Sequence, residues 1–200
     1  GDVKRRLLTL WHVTSFFVTY TRLDGFDPTQ PAVPLDERAD LDRWVLSRLQ
    51  MLVRSMTDAL ESYAVHRGVQ AAQTFIEDLS NWYVRRGRRR YWKAENDDDK
   101  LAAYQTLYEV LTTLVRLLAP VMPFWMEDIY QNLVRRVDPD APESVHLTEW
   151  PEVDEGLLDT ELNEAMNTVL VMNLREIEGR EASPSAGVVD NQSVKTTESG

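Results

Sequence analysis

Residues 96–118, NDDDKLAAYQTLYEVLTTLVRLL, decide the fold class because they describe a long helix with one apolar side. Large apolar side chains recur at intervals of three and four residues, which places them on the same side of an α-helix. These side chains are Leu101, Tyr104, Leu107, Tyr108, Leu111, Leu114, Val115 and Leu118. Asp97, Asp98 and Asp99 fall in the first turn, where carboxylates suit the positive end of the helix dipole. The stretch therefore predicts a helix that packs into a helical core.

The same helical spacing continues on both sides of this stretch. It predicts further helices at about residues 3–23, 41–63, 66 onward, 123–137 and 157–177. Pro28, Pro31 and Pro34 interrupt the pattern with extended backbone, since the residue before a proline avoids the helical region. Residues 138–156 are also predicted as loop, with an extended arm at 144–150. The sequence therefore predicts an all-α helical bundle of about six helices with an extended arm.

The domain organisation follows from where this periodicity stops. Residues 1–178 are predicted to form one helical domain, in which Asp40 is the N-cap of the second helix. Residues 179–200 are rich in serine and threonine and lack periodicity, so we expect a disordered or non-native polar tail. The chain starts with Gly1 rather than Met, which suggests a fragment of a longer protein.

The composition is that of a globular protein and excludes several kinds of site. Hydrophobic residues make up 43% and charged residues 28% of the 200 residues, which argues against wholesale disorder. The absence of cysteine excludes a disulfide scaffold, a thiolate metal site and a cysteine nucleophile. No apolar run approaches the 18 residues of a membrane span. We therefore expect a cytoplasmic protein without a membrane partner.

Charge is distributed unevenly along the chain, whose formal net charge is −11. Residues 1–93 carry 15 basic and 11 acidic side chains, whereas residues 94–200 carry 7 and 22. A net charge of −11 normally disfavours nucleic-acid binding, because contacts to phosphate supply most of that affinity. Local distribution rather than total charge decides the question, so a nucleic-acid site in the first half stays open.

The positive charge is concentrated in residues 81–93, NWYVRRGRRRYWK, where no acidic residue occurs. The candidate phosphate and sugar contacts in this run are Arg85, Arg86, Arg88, Arg89, Arg90 and Lys93. Arginine offers planar, bidentate donors to phosphate, and Trp82 or Trp92 could stack on a base or on ribose. Burial against a neighbouring helix is the alternative for either tryptophan, whereas Tyr83 continues the core stripe.

On an α-helix, one face would carry Trp82, Arg85, Arg86, Arg89 and Lys93. Two interpretations of the run stay open at this point. It is either a surface for nucleic acid or a solvated basic face, including one paired with the acids of residues 94–200.

No motif in the sequence predicts a catalytic residue or a metal site. His12, His66 and His146 are far apart and lack the spacing of metal ligands. Phosphate-binding glycine loops and the nucleophile elbow of hydrolases are also absent. We therefore predict no catalytic residue, no metal and no cofactor for this chain.

Residues 81–92 resemble the NWYxRRSRRRFW signature of isoleucyl-tRNA synthetases, in the form shared by archaeal, eukaryotic and some bacterial enzymes. Residues 10–20, LWHVTSFFVTY, are similar to the helix that follows the catalytic domain in that family. Residues 118–130, LAPVMPFWMEDIY, resemble the LLAPxxPFxxE motif of class I anticodon-binding domains, and residues 145–151, VHLTEWP, resemble the arm that follows. The last two motifs are shared with valyl and leucyl enzymes, so the arginine run points to the isoleucyl type. Residues 42–49, DRWVLSRL, also fit.

The resemblance implies an anticodon-binding domain that positions tRNA for ATP-dependent attachment of isoleucine. It implies an isoleucine tRNA and the catalytic domain of the same synthetase as partners, with ATP and Mg²⁺ expected for the parent enzyme. The HxGH and KMSKS motifs of class I synthetases are missing, so the chain alone is predicted to be inactive. Gly87 stands where the family usually has Ser, and the resemblance ends at about Arg175.

Two alternatives remain beside this interpretation. The chain could be the equivalent domain of a valyl or leucyl enzyme. It could also be a structural domain that docks onto the catalytic domain through the basic face and the first helix without binding RNA, in which case Trp11, Phe16 and Phe17 would be exposed in isolation.

Overall fold

A computed structural model describes residues 2–93 and 97–177, with side-chain surroundings for residues 8–93 and 97–172. The α-helices are α1 (Asp2–Asp24), α2 (Asp40–Glu61), α3 (Val65–Asp78), α4 (Arg85–Trp92), α5 (Asp98–Leu118), α6 (Pro123–Tyr130) and α7 (Thr160–Ile177). A π-helical turn, Leu79–Val84, joins α3 and α4 into one continuous rod, so the described residues form six helices and no strand. The predicted all-α fold is confirmed.

The π-helical turn matters because it lies directly before the arginine run. A π turn contains one residue more than an α turn, and such turns are frequent at functional sites. One extra residue rotates every following side chain by about 100° around the helix axis. The side chains of α4 therefore point in directions that the spacing of an unbroken α-helix does not give. A second π-helical turn, Gln131–Arg135, extends α6 in the same way.

The core is built around α5, which packs against α1, α2, α4 and α6. Leu107, Leu111, Leu114 and Leu117 are among the most completely buried side chains of the protein. Ala102, Ala103 and Val110, outside the predicted apolar stripe, are buried as well. A helix with neighbours on several sides is apolar over most of its circumference. The buried surface of α5 is therefore wider than the apolar stripe predicted from the sequence.

Two helix starts differ from the predictions. The N-cap of α2 is Ala39 rather than Asp40, and it makes no side-chain cap. Asp40 lies one residue further on, in the first turn, where its charge suits the helix dipole. α5 begins at Asp98, and Asp97 is its N-cap, with its carboxylate accepting a hydrogen bond from the Lys100 backbone N–H at 2.8 Å.

The segment from residue 136 to residue 159, here called the arm, includes residues 144–150, which were predicted as extended. It contains two short 3₁₀ turns, Val145–Leu147 and Glu155–Leu157, and the first lies within 144–150, so that stretch is not extended throughout. The Glu127 carboxylate of α6 accepts a hydrogen bond from the Val145 backbone N–H at 2.9 Å. Further along, the Trp150 indole donates to the Thr57 hydroxyl of α2 at 2.9 Å. The arm is therefore fastened to two helices by side-chain hydrogen bonds.

Two compact units make up the chain, Gly1–Asp159 and Thr160–Gly200. The first contains α1 to α6 and the arm, and the described part of the second is α7. The predicted tail at residues 179–200 lies outside the described residues, so its nature stays a prediction. Among the described helices, none has the length and apolar character that crossing a membrane requires.

Replacing Gly87 by alanine is expected to stabilise the protein. Gly87 is buried inside α4, where glycine is less favourable than alanine by about 1 kcal/mol. A Cβ added there would meet a Tyr91 ring carbon at 3.7 Å, an ordinary contact distance. We expect Gly87→Ala to raise the free energy of unfolding in urea by about 0.5–1 kcal/mol.

Gly68→Ala in α3 is the matched control. A Cβ at Gly68 would lie 3.0 Å from the Met56 sulfur and 3.2 Å from Ala59 Cβ, so α2 and α3 would have to separate slightly. This variant should gain nothing or lose stability. An equal gain for both variants, or a loss for Gly87→Ala, would contradict the described packing of α4.

Candidate nucleic-acid interface

One buried carboxylate fixes the orientation of α4. Asp42, in the first turn of α2, is fully buried. It accepts a hydrogen bond from the Tyr83 hydroxyl at 2.6 Å and two from Arg90, at 2.8 and 2.6 Å. Arg90 also donates to the Asp99 backbone carbonyl at 2.8 Å and pairs with the Asp99 carboxylate at 2.8 Å. Asp42, Tyr83, Arg90 and Asp99, here called the Asp42 network, thus connect α2, the π turn, α4 and α5.

Arg90 is thereby removed from the candidate contacts to RNA. Its side chain is only 13% exposed, and its donors face Asp42 and Asp99 rather than solvent. Burial by itself disfavours the charged guanidinium, but the hydrogen bonds and negative charge of Asp42 raise the pKa of Arg90. We therefore correct the predicted phosphate contact of Arg90 and assign this residue to the internal structure.

Two buried tyrosines complete the attachment of this rod to α5. The Tyr91 hydroxyl donates to the Ala103 backbone carbonyl at 3.1 Å, and the Tyr83 hydroxyl, whose one proton goes to Asp42, lies 3.3 Å from the same carbonyl oxygen. Burial raises the pKa of both tyrosines, so both are neutral donors at physiological pH. The prediction that Tyr83 belongs to the core is confirmed.

Lys100 closes the carboxyl end of α4, a role that the sequence analysis missed. Its ammonium is almost completely buried and donates to the Lys93 backbone carbonyl at 2.8 Å. It also pairs with the Asp24 carboxylate at 2.7 Å. Burial alone would raise the pKa of Asp24, but hydrogen bonds from Lys100 and Tyr104 lower it. A positive charge in the first turn of a helix is unfavourable, because that end of the helix dipole is positive. The position of Lys100 in the first turn of α5 was therefore a signal that it has a specific partner.

The remaining arginines of the run form an exposed surface, here called the arginine face. It consists of Arg85, Arg86, Arg88 and Arg89. Within residues 8–93 and 97–172, no carboxylate lies at ion-pair distance from any of these four side chains. Arg90 is therefore paired with acids, as the second interpretation of the run expects, whereas these four arginines are exposed and their contact with nucleic acid stays a prediction.

Lys93 is intermediate between these two situations. Its ammonium lies 3.3 Å from the Asp97 carboxylate and 2.9 Å from that of Asp99, and these hydrogen bonds raise the pKa of Lys93. Exposed ion pairs of this kind contribute little to stability, because water and salt screen them. Phosphate could therefore replace either carboxylate, and the contact of Lys93 to RNA stays a prediction.

The two tryptophans of the run differ in accessibility. Trp82 is half-buried, and the Arg86 guanidinium lies 5.1 Å from the centre of its ring. Trp92 is 56% exposed, with the Arg88 guanidinium 6.0 Å from its ring. Its indole N–H donates to the Tyr20 hydroxyl of α1 at 2.7 Å. Contacts of either ring to RNA stay predictions.

The aromatic side chains of α1 are less exposed than the docking alternative requires. Phe17 is 2% exposed and packs against Phe26, Tyr104 and Tyr108, so its expected exposure is wrong. The reason is that residues 24–40 bring Phe26 back over α1. Only Trp11, at 47%, is exposed as expected, since Phe16 is half-buried.

No cluster of three or more histidine, aspartate or glutamate side chains suited to a metal ion occurs in the described part of the chain. The side chains of His12, His66 and His146 are each exposed. The features that stand out are therefore the arginine face and the tryptophans beside it.

Fold and surface together define a helical domain with a cationic face suited to an anionic macromolecule. The family model for the anticodon-binding domain of tRNA ligases matches residues 42–185, so the chain belongs to that family. The match begins at Asp42, the residue that fixes α4.

Several curated relatives give the type of ligase that the chain resembles. Isoleucine–tRNA ligase of Dehalococcoides mccartyi is 48% identical over 189 residues, which cover 94% of this chain and 18% of that protein. The enzyme of the same name from Thermus thermophilus is 50% identical over 169 residues, covering 84% of this chain and 16% of that protein. That of Methanosarcina mazei is 48% identical over 171 residues, covering 83% and 16%. The chain thus spans less than a fifth of the length of these relatives.

Removing the charge of Asp42 is expected to destabilise the domain strongly. Asp42→Asn preserves the size of the side chain but leaves the Arg90 guanidinium without its buried counter-charge. Breaking a buried ion pair in this way costs about 3–5 kcal/mol. We expect a loss of this size in the free energy of unfolding, measured in urea.

Asp40→Asn, in the same turn of α2, is the matched control. Asp40 pairs with Arg43 at 3.0 Å, and its side chain is 73% exposed. Its substitution should therefore cost less than about 1 kcal/mol. Equal effects of the two variants would show that the Asp42 network does not hold α4 in place.

Proposed function

We propose that this chain binds tRNA through its arginine face, as the tRNA-binding part of an isoleucine–tRNA ligase. The observation that carries the proposal is that Arg85, Arg86, Arg88 and Arg89 lie exposed on one short helix without described ion pairs. Membership of the anticodon-binding family and the names of the relatives support RNA as the anionic partner.

The physical argument rests on charge density. Like charges at helical spacing repel one another by a few tenths of a kcal/mol per pair, and the Asp42 network holds them together in spite of this. An RNA backbone relieves the repulsion and releases its condensed counterions, which makes binding favourable and dependent on salt. Arginine adds geometry, because its planar guanidinium donates two parallel hydrogen bonds to one phosphate.

The domain contributes position rather than bond-making in this proposal. Phosphate contacts fix the register of an RNA but carry no sequence information. The ATP-dependent attachment of isoleucine, with Mg²⁺, is assigned to the catalytic domain of the same ligase. Recognition of isoleucine tRNA in particular is supported by the names of the relatives and by the resemblance of residues 81–92 to the isoleucyl signature.

A second function, docking onto the catalytic domain of the ligase, is favoured by one observation at another surface. A groove of about 330 Å³ lies between α1 and α6 with its π-helical extension. Its lining includes Trp11, Val18, Ile129 and Leu133, and Leu8 near its end is also exposed. This surface is separate from the arginine face, so docking and RNA binding are compatible functions of one domain.

Binding to an isoleucine tRNA transcript should fall steeply with salt. The logarithm of the binding constant is expected to decrease linearly with the logarithm of salt concentration, with a slope of about −0.7 to −0.9 per phosphate contact. An unrelated tRNA, titrated in parallel, separates recognition from electrostatics. Weaker binding to the unrelated tRNA would place specificity in this domain, whereas equal binding would make the arginine face a general platform. Absence of binding to both at low salt would overturn the proposal.

Neutralising single arginines should flatten this salt dependence. We expect Arg85→Gln and Arg89→Gln each to weaken tRNA binding and to reduce the salt slope by about one unit. Arg67→Gln is the matched control, because Arg67 is exposed on the same rod about 30 Å away along its axis. A loss for Arg67→Gln equal to the other two would indicate that only the net charge matters.

A further inference from the structure

The accessibility of Trp92 is not explained by packing. Large aromatic side chains are normally highly buried, and burying one contributes strongly to stability. Trp92 nevertheless remains 56% exposed at the end of α4, next to arginines without described counter-ions. The Arg88 guanidinium, 6.0 Å from the ring centre, lies at the outer limit of a cation–π contact, which is about 6 Å. Among the described residues no other aromatic ring stacks on this indole, so apart from the distant guanidinium its face is open to the ring of a ligand.

Although exposed, the ring is held in one orientation. Its N–H donates to the Tyr20 hydroxyl at 2.7 Å. The Tyr20 ring lies 4.7 Å from that of Phe16, which in turn meets the buried Tyr91 edge-on at 5.1 Å. This series of contacts connects the edge of the indole to the core. The conformational entropy of the indole side chain is therefore lost when the protein folds. A ligand that needs this orientation of the ring then binds without that entropic cost.

The position of Trp92 relative to the cations suggests the ligand. Arg85, Arg88, Arg89 and Trp92 follow one another at intervals of three and four residues, so they form one stripe along α4. Cations that track a phosphate backbone, combined with an aromatic ring, are the elements of single-strand recognition. A duplex keeps the faces of its bases stacked inside, whereas the bases of a loop can be displaced onto a protein ring.

We propose that Trp92 is a stacking platform for one unpaired base of an RNA loop, and that Tyr20 is its positioning residue. This inference rests on the proposed function and deepens it by naming single-stranded loop RNA as the ligand of this end of α4. The adjacent arginines hold the flanking phosphates, and the indole face takes the base. Trp82 is assigned no such role, because it is half-buried beneath Arg86.

The test uses an RNA stem-loop with an isoleucine anticodon and a series in which each loop nucleotide in turn is abasic. Trp92→Leu should bind the intact stem-loop about tenfold more weakly, since it removes the ring on which one base stacks. One abasic position should weaken wild-type binding by a similar factor and have no further effect on Trp92→Leu, because both changes remove the same contact. Trp92→Phe keeps an aromatic face but loses the indole N–H, so it should bind about two- to fivefold more weakly than wild type and more tightly than Trp92→Leu. Trp11→Leu, an exposed tryptophan of α1, is the control and should change nothing.

The role of Tyr20 is tested separately, by removing only its hydroxyl. Tyr20→Phe releases the indole N–H but keeps the ring contact to Phe16. We expect a loss of about two- to fivefold for the stem-loop, from the restored mobility of the Trp92 ring. Binding to a duplex of equal charge should be unaffected. In the Trp92→Phe background, which has no indole N–H, Tyr20→Phe should have no further effect, and an equal loss there would overturn the positioning role.

The outcomes separate this inference from the proposed function. If Trp92→Leu binds the stem-loop within twofold of wild type and gives the same abasic profile, stacking is overturned, even while the arginine variants still weaken tRNA binding. If the wild-type chain binds neither RNA at low salt, the proposed function fails first. Should Trp92→Leu not fold, a 2-aminopurine at the sensitive loop position gives the answer with wild-type protein. Quenching of its fluorescence on binding supports stacking, and unquenched emission overturns it.

Discussion

The buried ion pair between Asp42 and Arg90 is the interaction on which the interface depends. α4 is the eight-residue end of the rod that begins at Val65, and most of the stability of such a helix comes from tertiary packing rather than from its own sequence. Its sequence adds mutual repulsion between cations and a glycine in the interior. The carboxylate of Asp42 holds this helix to α2, and Tyr83 and Tyr91 hold it to α5 through one backbone carbonyl. The arginine face can tolerate its charge density because the opposite side of the same rod is firmly attached to the core.

Neighbouring arginines of one run thus have different tasks, and their position on the helix decides which. Gly87 and Tyr91 face the core, and Arg90, beside Tyr91, reaches the buried Asp42. Arg85, Arg88 and Arg89 point away from it. From the sequence, all six cations of the run were candidates, because the acid that selects Arg90 is 48 residues away along the chain. The π turn Leu79–Val84, which contains Trp82, also changes the phase of the helix before Arg85, so a face drawn for an unbroken α-helix was incomplete.

The parts of the fold that sequence could predict are those in which one local signal dominates. Continuous apolar spacing gave α5 and α2, and Pro28, Pro31 and Pro34 gave the crossing between α1 and α2. Local signals were ambiguous at helix ends, where Asp40 had the residue type of an N-cap but Ala39 occupies that position. Local signals also did not identify the partners of Lys100. These are the Lys93 backbone carbonyl at the end of α4 and the Asp24 carboxylate at the end of α1. Such contacts depend on tertiary packing, for which local spacing contains no information.

The distribution of acids explains how a chain of net charge −11 can carry a surface for an anion. Asp97 and Asp99 follow α4 directly and pair with Lys93, and Asp99 also pairs with Arg90. They therefore neutralise the carboxyl end of the run and leave the positive potential over the segment from Arg85 to Arg89. Beyond a Debye length of about 8 Å at physiological salt, exposed charges are largely screened, so the distant acids weaken this local potential little. Under the proposed function, their excess repels polyanions elsewhere on the surface and favours approach to the arginine face, whose four guanidinium groups form no ion pair within the described residues.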